Sequence, residues 1–368
     1  MPDSPSASPR ASPSASSPMS PSEPEASLSE VVRMLRDEDL GSLMRRAYEV
    51  KAANWGRRVA LRGLVEFSNI CAKNCLYCGI RRGNHDVTRY RMDESEIVDA
   101  VAWAAENRYG SVVLQSGELE TEENAAFVER VLKSIRSRLG DSLGITLSLG
   151  EQSEETYRRW MDAGANRYLL RIETSNPDLY ARIHPADHSW KRRLDCLRAL
   201  SRVGYIVGTG VMIGLPGQTV EDLARDILFF KEEGVDMIGM GPYLVHPDTP
   251  LAADAPRPDK QRLLELTLRM IAAARLTIPD ANIASTTALQ AIHPEGREKG
   301  LLAGANVIMP NVTPVKYRGE YILYPDKPCT GESSELCRGC LERRVKSVGE
   351  EIAWGERGDP LHFARRAR

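Results

Sequence analysis

The chain is 368 residues long, 42% hydrophobic, and carries a formal net charge of −2. That length suits one large α/β barrel or two modest domains; neither the charge balance nor any apolar run, all well short of the ~20 residues that cross a bilayer, points to a nucleic-acid or membrane partner. The seven cysteines fall into two clusters plus a single residue, which argues against a secreted disulfide framework and fits metal binding in a reducing cytoplasm.

The first 27 residues are mostly Ser, Pro and Ala with no apolar stretch. They read as a disordered tail rather than a signal peptide, with an organelle transit peptide as the weaker alternative. Ser27-x-x-Glu30 is a capping box and predicts a helix to about Val50 that breaks near Asn54-Trp55-Gly56. Strands are then predicted at Leu61–Ser68, Ser111–Gln115, Ile145–Leu149, Arg167–Ile172, Tyr205–Met212, Asp236–Gly241, Asn282–Thr286 and Asn306–Met309. Each is short, apolar and rich in β-branched residues or Leu, as buried parallel strands are. Helical patterns at Asp93–Asn107, Glu122–Leu139, Glu154–Ala163, Lys191–Val203, Val220–Glu233, Pro258–Leu276 and Glu295–Ala303 fill most gaps. Gly110, Gly164, Gly204, Gly234 and Gly304 follow helices, where they suit C-terminal caps. Cys196 stands alone in the apolar helical stretch Leu194–Leu200 and reads as an inert buried thiol.

Eight alternating units predict a closed (β/α)8 barrel of TIM type. The expected organisation is a tail over 1–27, a helical segment over 28–56, a core over 57–280, the last strands and mouth over 281–325, and an extension over 326–368. The Tyr-, Pro- and Cys-rich stretch after Pro310 is expected to cross one barrel mouth. In such a barrel the loops that follow the strands build the active site.

The loop after the first strand reads Asn69-Ile70-Cys71-Ala72-Lys73-Asn74-Cys75-Leu76-Tyr77-Cys78-Gly79. Three thiolates on one tight loop can hold three irons of a cubane and leave the fourth open. An open iron can chelate the amino and carboxylate groups of S-adenosylmethionine (SAM) and pass it an electron, giving a 5′-deoxyadenosyl radical. Structural zinc is the alternative; it wants four ligands, and His85 is the only nearby candidate for the fourth. The C-x3-C-x2-C spacing, with Tyr77 before the last cysteine, resembles the radical SAM superfamily signature. That resemblance implies a 4Fe–4S cluster on Cys71, Cys75 and Cys78 as the catalytic centre, with SAM bound beside it.

Gln115-Ser116-Gly117-Glu118 ends the second strand and resembles the superfamily's Gly-Gly-Glu element, with Ser116 in place of the first glycine. Small residues there let backbone carbonyls approach the SAM ammonium. Arg171 and Glu173, two apart on the fourth strand, are expected to face the mouth together. Glu173 suits ribose or ammonium and Arg171 a carboxylate, with an ordinary ion pair as the alternative. Arg193 is a candidate for the SAM carboxylate, or else a solvated helix charge beside Lys191 and Arg192. By the resemblance, Met212 lies in the region along the adenine, and Tyr77 joins the cofactor-binding set.

Longer stretches narrow the resemblance. Gly241–Leu251 and Gly304–Asn311 above all, within a match from roughly Val50 to Cys340, are similar to the HydE family of FeFe-hydrogenase maturases. That branch also holds biotin synthase and methylornithine synthase. Cys329, Cys337 and Cys340, spaced C-x7-C-x2-C, resemble the accessory iron–sulfur site (2Fe–2S or 4Fe–4S) of part of that family. Zinc or reduced free thiols are the alternatives there, with water or Asp326 as the missing ligand.

The family resemblance implies a role in assembling the di-iron subcluster of the hydrogenase active site. The substrate it implies is an iron–carbonyl–cyanide–cysteine complex, made by a tyrosine-cleaving radical SAM maturase and passed on to a GTPase scaffold, with ferredoxin or flavodoxin as reductant. Candidate substrate residues are Thr146, Arg171, Thr286, Thr287, Met309 and Tyr324; threonine hydroxyls and an arginine suit a small anionic ligand. Met309 as packing, and Tyr317, Tyr321 and Tyr324 as filling of the mouth, are the blander readings. Ile172 departs from the family, where a more polar residue stands, and puts the Arg171–Glu173 contact in doubt. A methylornithine- or biotin-synthase-like reaction, a non-catalytic cluster carrier and a zinc-dependent regulator are the alternatives. Biotin synthase would need further barrel cysteines, and only Cys196 is left for that.

Overall fold

A computed structural model describes residues 26–253 and 259–366. The tail up to residue 25 and the predicted helix start at Pro258 lie outside the described residues. Ser27 caps the first helix, Leu28–Arg36, and the capping box with Glu30 closes as predicted. The single helix expected to Val50 is two. The chain breaks at 37–39, where Asp39 accepts the Ser42 N–H at 2.8 Å and starts a second helix, Leu40–Trp55. A good N-cap aspartate here outcompetes continuation through helix-forming residues.

The described strands are β1 (Arg58–Ser68), β2 (Ser111–Ser116), β3 (Gly144–Ser148), β4 (Arg167–Leu169), β5 (Ile206–Thr209), β6 (Met212–Ile213), β7 (Met237–Ile238), β8 (Gly241–Pro242), β9 (Asn282–Ile283), β10 (Val307–Ile308) and β11 (Glu351–Ile352). Eight run parallel in the order β10-β1-β2-β3-β4-β5-β7-β9. The ring closes between β9 and β10, where the Asn306 N–H donates to the Ile283 carbonyl (2.9 Å) and the Ser285 N–H to that of Val307 (2.8 Å). All eight predicted strands are therefore present in a closed barrel. Those beyond β3 are shorter than predicted, and two are split. β6 and β8 form a separate pair beyond β5 and β7, where the chain backbones crowd together; a Cβ on Gly210 would lie 2.6 Å from the Gly239 carbonyl carbon.

Alternation along the strands sets what the barrel contains. Val59, Leu61, Val65 and Phe67 on β1, Val112 and Leu114 on β2, and Ile145 and Leu147 on β3 are buried in the main apolar core. Each such side chain contributes about 1.5–3 kcal/mol. The intervening positions, among them Arg62, Glu66, Gln115 and Thr146, take the opposite, inward face. The barrel interior is therefore polar along one side.

Gly164, Gly204, Gly234 and Gly304 take the positive φ expected after helices. Gly110 does not. Arg108 adopts the left-handed conformation after the helix Glu94–Glu106 instead (φ 62°), and Gly110 is small because the chain at 356–357 passes against it. That passage closes the bottom of the barrel: β11 pairs with the start of β1, and Arg167 donates to the Arg357 carbonyl at 2.7 Å. At the other end, the 319–327 strap crosses the mouth as expected. Gly79 donates to the Leu323 carbonyl (3.2 Å), Asn69 to that of Glu320 (2.7 Å), and Lys327 pairs with buried Glu66 (2.6 Å). Tyr321 is buried beneath the strap, whereas Tyr317 lies outside it, stacked on Tyr90 and donating to Glu96.

Candidate active site

The cysteine loop leaves β1 at Ser68 and is braced by hydrogen bonds from its own and neighbouring side chains. Arg89 donates to the carbonyls of Asn69, Ile80, Arg81 and Asn84, at 2.7 to 3.0 Å. Asn74 Oδ1 accepts the Gly83 N–H at 2.9 Å. Cys71, Cys75 and Cys78 are partly exposed as residues. Burial of their sulfurs nevertheless pushes all three thiols up, that of Cys75 to about 12. The Glu118 backbone N–H donates to Cys71 Sγ at 3.3 Å. Three sulfurs on one hydrogen-bonded loop, one of them met by a backbone donor, fit an iron–sulfur cluster; assembling it must displace the thiol protons.

Among the described residues, one tight group of metal-ligating side chains appears: Cys75, His184 and His188, with ligand atoms within 4.8 Å of one another. His85, the only histidine near the loop in sequence, is exposed and outside that group. His184 Nδ1 donates to the Tyr180 carbonyl (2.9 Å), so Nε2 accepts the Tyr77 hydroxyl (3.2 Å). Burial holds the His184 pKa down at about 3. Tyr77 and Met212 pack against a small apolar cluster of Leu179, Ile183, Leu215 and Tyr243 beside the loop.

Glu118 and Arg193 meet in a buried network with two residues that the sequence did not single out. Arg193 Nε lies 2.7 Å from Glu151 and Nη2 3.3 Å from Glu118; Lys73 Nζ lies 2.8 Å from Glu151 and 3.2 Å from Glu118. Arg193 is only 8% exposed, so it is no solvated helix charge. Burial acts to raise Glu151, but Arg193 and Lys73 outweigh it and hold its carboxyl below the ordinary value. Burial likewise acts against the charge on Arg193, and Glu118 and Glu151 more than restore it. Gly150, at φ +78°, leaves the room that the Glu118 side chain fills.

Arg171 and Glu173 pair through Nε–Oε1 and Nη2–Oε2 contacts, both 2.9 Å, and Arg171 also donates to the Gly239 carbonyl. Ile172 between them is fully buried and leaves the pair intact. β4 ends at Leu169, so strand alternation does not set this geometry; Glu173 sits at φ +64°, a conformation that non-glycine residues rarely hold. Gln115 donates to the Tyr321 hydroxyl (3.2 Å), and the Ser116 hydroxyl to the Gly117 carbonyl (2.6 Å).

The substrate candidates divide. Thr146 and Met309 line a small internal cavity (≈ 20 Å³) with Arg62, Met237 and Asn282. Thr146 Oγ1 and Arg62 Nε and Nη2 are buried without a partner, and Arg62 Nη1 meets only the Met237 sulfur (2.8 Å). Burial, with the nearby Arg167 charge, holds Arg62 down to about 9. Strand alternation in β1 could have found Arg62, a charge on the inward face of an otherwise apolar run. Thr286 and Thr287 do not line this cavity; they start the helix Thr287–Ile292, with Thr286 Oγ1 buried and unpartnered beside Gly241. Tyr324 is in the strap. Burial pushes its hydroxyl up, with Glu66 adding to the effect and Arg171 opposing it.

Residues 65–230 match the family model described as the Radical SAM superfamily. Over 318 residues the chain is 45% identical to the [FeFe] hydrogenase maturase subunit HydE of Thermotoga maritima, covering 86% of this chain and 88% of that one. The chain belongs to the HydE family. It is therefore a radical SAM enzyme, of a superfamily that uses a 4Fe–4S cluster and SAM. A 3-methylornithine synthase of Methanosarcina acetivorans is 28% identical over 86% of this chain and 87% of its own. Two solved structures share the fold. One is HydG from Carboxydothermus hydrogenoformans (TM-score 0.74, 20% identity, 90% of this chain and 76% of that one); the other is the methylornithine synthase PylB (TM-score 0.73, 23%, 90% and 95%). No helix among the described residues is long and apolar enough to cross a membrane.

The accessory cysteines of this HydE family member sit on and just before one helix. Cys337 and Cys340 lie on the helix Ser334–Ser347, and Cys329 precedes it at φ +64°. The contact between the Cys329 and Cys337 thiols, aided by Arg297 and Arg318, holds Cys329 below its ordinary value, and the same contact with burial pushes Cys337 up. Asp326 is exposed and lines a groove with Tyr243 and Lys260.

Gly117 gives a first prediction. A Cβ there would stand 2.8 Å from Cys71 Cβ and closer still to the Ile70 carbonyl. Gly117→Ala must therefore displace the cysteine loop. Cluster affinity should fall roughly tenfold, as when the surroundings of metal ligands are disturbed. Iron bound per chain after reconstitution measures it; unchanged iron would mean the loop yields freely.

Proposed function

We propose that this enzyme cleaves SAM reductively and uses the 5′-deoxyadenosyl radical in assembly of the di-iron subcluster of FeFe hydrogenase. Its substrate would be a small anionic iron complex carrying carbonyl, cyanide and cysteine. One observation carries the reading: the cysteine loop and the Lys73–Glu118–Glu151–Arg193 network gather at the C-terminal strand ends, over a barrel interior that holds the unpartnered polar atoms of Arg62 and Thr146. Membership in the family of the Thermotoga maritima maturase supports the same role.

Cys71, Cys75 and Cys78 would hold the cluster, which when bound supplies the electron for cleaving the SAM sulfonium. Gly117 leaves room for the SAM amino acid end, and Glu118 would accept from its ammonium. Arg193 and Lys73 aim Glu118, so Arg193 acts through Glu118 rather than through a free guanidinium. Arg171 orients Glu173 for the ribose hydroxyls, and Tyr77 and Met212 offer apolar surface to the adenine. The strap, with Tyr321 and Tyr324, excludes water from a radical that would be quenched by side reactions. Arg62, Thr146 and Met309 would supply a charge, a hydroxyl and a soft surface to an anionic complex, with the unpartnered Thr286 hydroxyl beside Gly241 outside that cavity. The complex would come from a tyrosine-cleaving maturase and leave for a GTPase scaffold, with ferredoxin or flavodoxin supplying electrons in a reducing cytoplasm.

Arg62 separates function from stability. Arg62→Met removes a buried charge without a carboxylate partner, so the variant should melt at a higher temperature than the parent. Stimulation of SAM cleavage by substrate should fall at least about tenfold, the worth of a charged hydrogen bond. A variant with full stimulation would remove Arg62 from the substrate site. The reading as a whole is tested anaerobically by following 5′-deoxyadenosine from reduced, reconstituted protein with and without the iron–cysteine complex. Stimulation supports the maturase role. Cleavage that ignores the complex but answers to another small molecule discards that role, and an intact cluster without cleavage favours a carrier.

A further inference from the structure

Cys75 differs from its neighbours in what faces its sulfur. At Cys71 a donor is the Glu118 backbone N–H. At Cys75 a histidine ring from a distant loop approaches: His188 Nδ1 lies 3.9 Å from Sγ. The other ring nitrogen faces two groups, the Asn74 backbone N–H and, at 3.7 Å, an oxygen of exposed Asp187. His188 Nε2 accepts the backbone N–H of Asn74 at 3.5 Å. The Asp187 contact is longer than a hydrogen bond and open to water, so the Asn74 bond decides: Nε2 accepts, and the ring proton sits on Nδ1 and points to the sulfur. The His188 side chain is 4% exposed, which leaves water little access to the contact. Its ring lies against that of His184 (centroids 5.7 Å apart), which is stacked on Tyr180 at 3.8 Å and tied to the Tyr180 carbonyl. The ring is thus held from two sides, by the cysteine loop and by His184.

We propose that His188 is a positioning residue that sets the reduction potential of the cluster: its Nδ1–H donates to Cys75 Sγ and stabilises the reduced form. Reduction by a one-electron donor adds one negative charge, shared with the thiolate sulfurs. A donor aimed at one of them gains more from the reduced state than from the oxidised one. This rests on the reading of Cys75 as a cluster ligand, and the two can fail separately. If Cys75 is no ligand, Cys75→Ala retains its iron; if only the His188 inference is wrong, iron is unaffected and the potential does not move.

The test is an anaerobic redox titration of the reconstituted full chain, followed by the absorbance and EPR of the cluster, in the parent, His188→Gln and His188→Leu. His188→Leu should shift the one-electron reduction equilibrium roughly tenfold toward the oxidised form, 59 mV in midpoint. His188→Gln, which retains an N–H, should shift it less. An unchanged midpoint in a loaded His188→Leu protein overturns the inference. Should that variant fail to load, parent protein carrying 15N-histidine answers alone. A histidine nitrogen coupling on the reduced cluster is expected in its pulsed EPR, and its absence overturns the inference equally.

Discussion

Cys71→Ala is expected to bring SAM cleavage down to the background of protein without a cluster, while Cys337→Ala keeps most of it. The contrast follows from ligand number and place. Cys71, Cys75 and Cys78 are the three proposed ligands on one loop, and removing one would leave two irons of a cubane open instead of one. Nothing nearby replaces Cys71. The tight histidine group gathers at Cys75, and the backbone donor from Glu118 would be left facing an alanine. Cys337 is buried 4% exposed on the helix Ser334–Ser347, beyond the buried Lys327–Glu66 pair that anchors the strap. Its loss removes the bond to Cys329 and a little packing, on the order of 1 kcal/mol. The two variants need the same three measurements: iron per chain, the visible spectrum, and 5′-deoxyadenosine formed after reduction. A Cys71→Ala protein that still cleaves SAM would displace the cluster from this loop. A dead Cys337→Ala protein with a loaded first cluster would give the accessory cysteines a part in the chemistry.

How far these sites could be read from sequence depended on how local their signals were. The eight barrel strands each carry their own apolar run, so all eight were legible, although their ends were not. Beyond β3 the ladder lasts two to four residues, and crowding such as that of Gly210 against Gly239 decides where it stops. The cysteine loop and the Ser116–Glu118 turn were legible because all their parts lie within one loop. The helix break at 37–39 was missed because the apolar spacing of Leu35, Leu40 and Leu43 runs across it and masks the weak helix formers Asp37, Asp39 and Gly41. Gly110 suggested a cap, but its smallness serves the returning C-terminal chain. His184 and His188 were invisible for a plainer reason: more than a hundred residues separate them from Cys75, and only the barrel brings them together. Glu151 lay within a recognised stretch, yet its role depends on Arg193 and Lys73, which arrive from two other elements.

Arg193→Leu is expected to destabilise the fold by about 3–5 kcal/mol, because it breaks a buried network rather than a surface pair. Two buried cations and two carboxylates meet in the parent, with half-exposed Arg192 a third cation 3.4 Å from Glu151; the variant leaves Lys73 between the two acids and Arg192 at the edge. Both acids are largely shielded from water, with side chains 11% and 2% exposed. The pH dependence carries the same information. The Glu151 carboxyl is held below its ordinary value of 4.5 by Arg193 and Lys73, against burial. A depressed acid contributes stability that is present above its unfolded pKa and is lost as pH falls through the folded one. The parent should therefore lose stability on acidification below about pH 4.5, and Arg193→Leu should lose less, since much of that contribution is already gone. Urea midpoints across pH 3–7 would measure this; parallel curves for the two proteins would mean that Arg193 does not hold the Glu151 charge. The double variant Arg193→Leu, Glu151→Gln restores the charge balance with one acid and one lysine, so it should recover part of the stability. SAM affinity should not recover with it, because Glu118 has then lost the guanidinium that aims it. Equilibrium SAM binding that returns together with stability would make Arg193 a structural residue and leave the SAM ammonium to other groups.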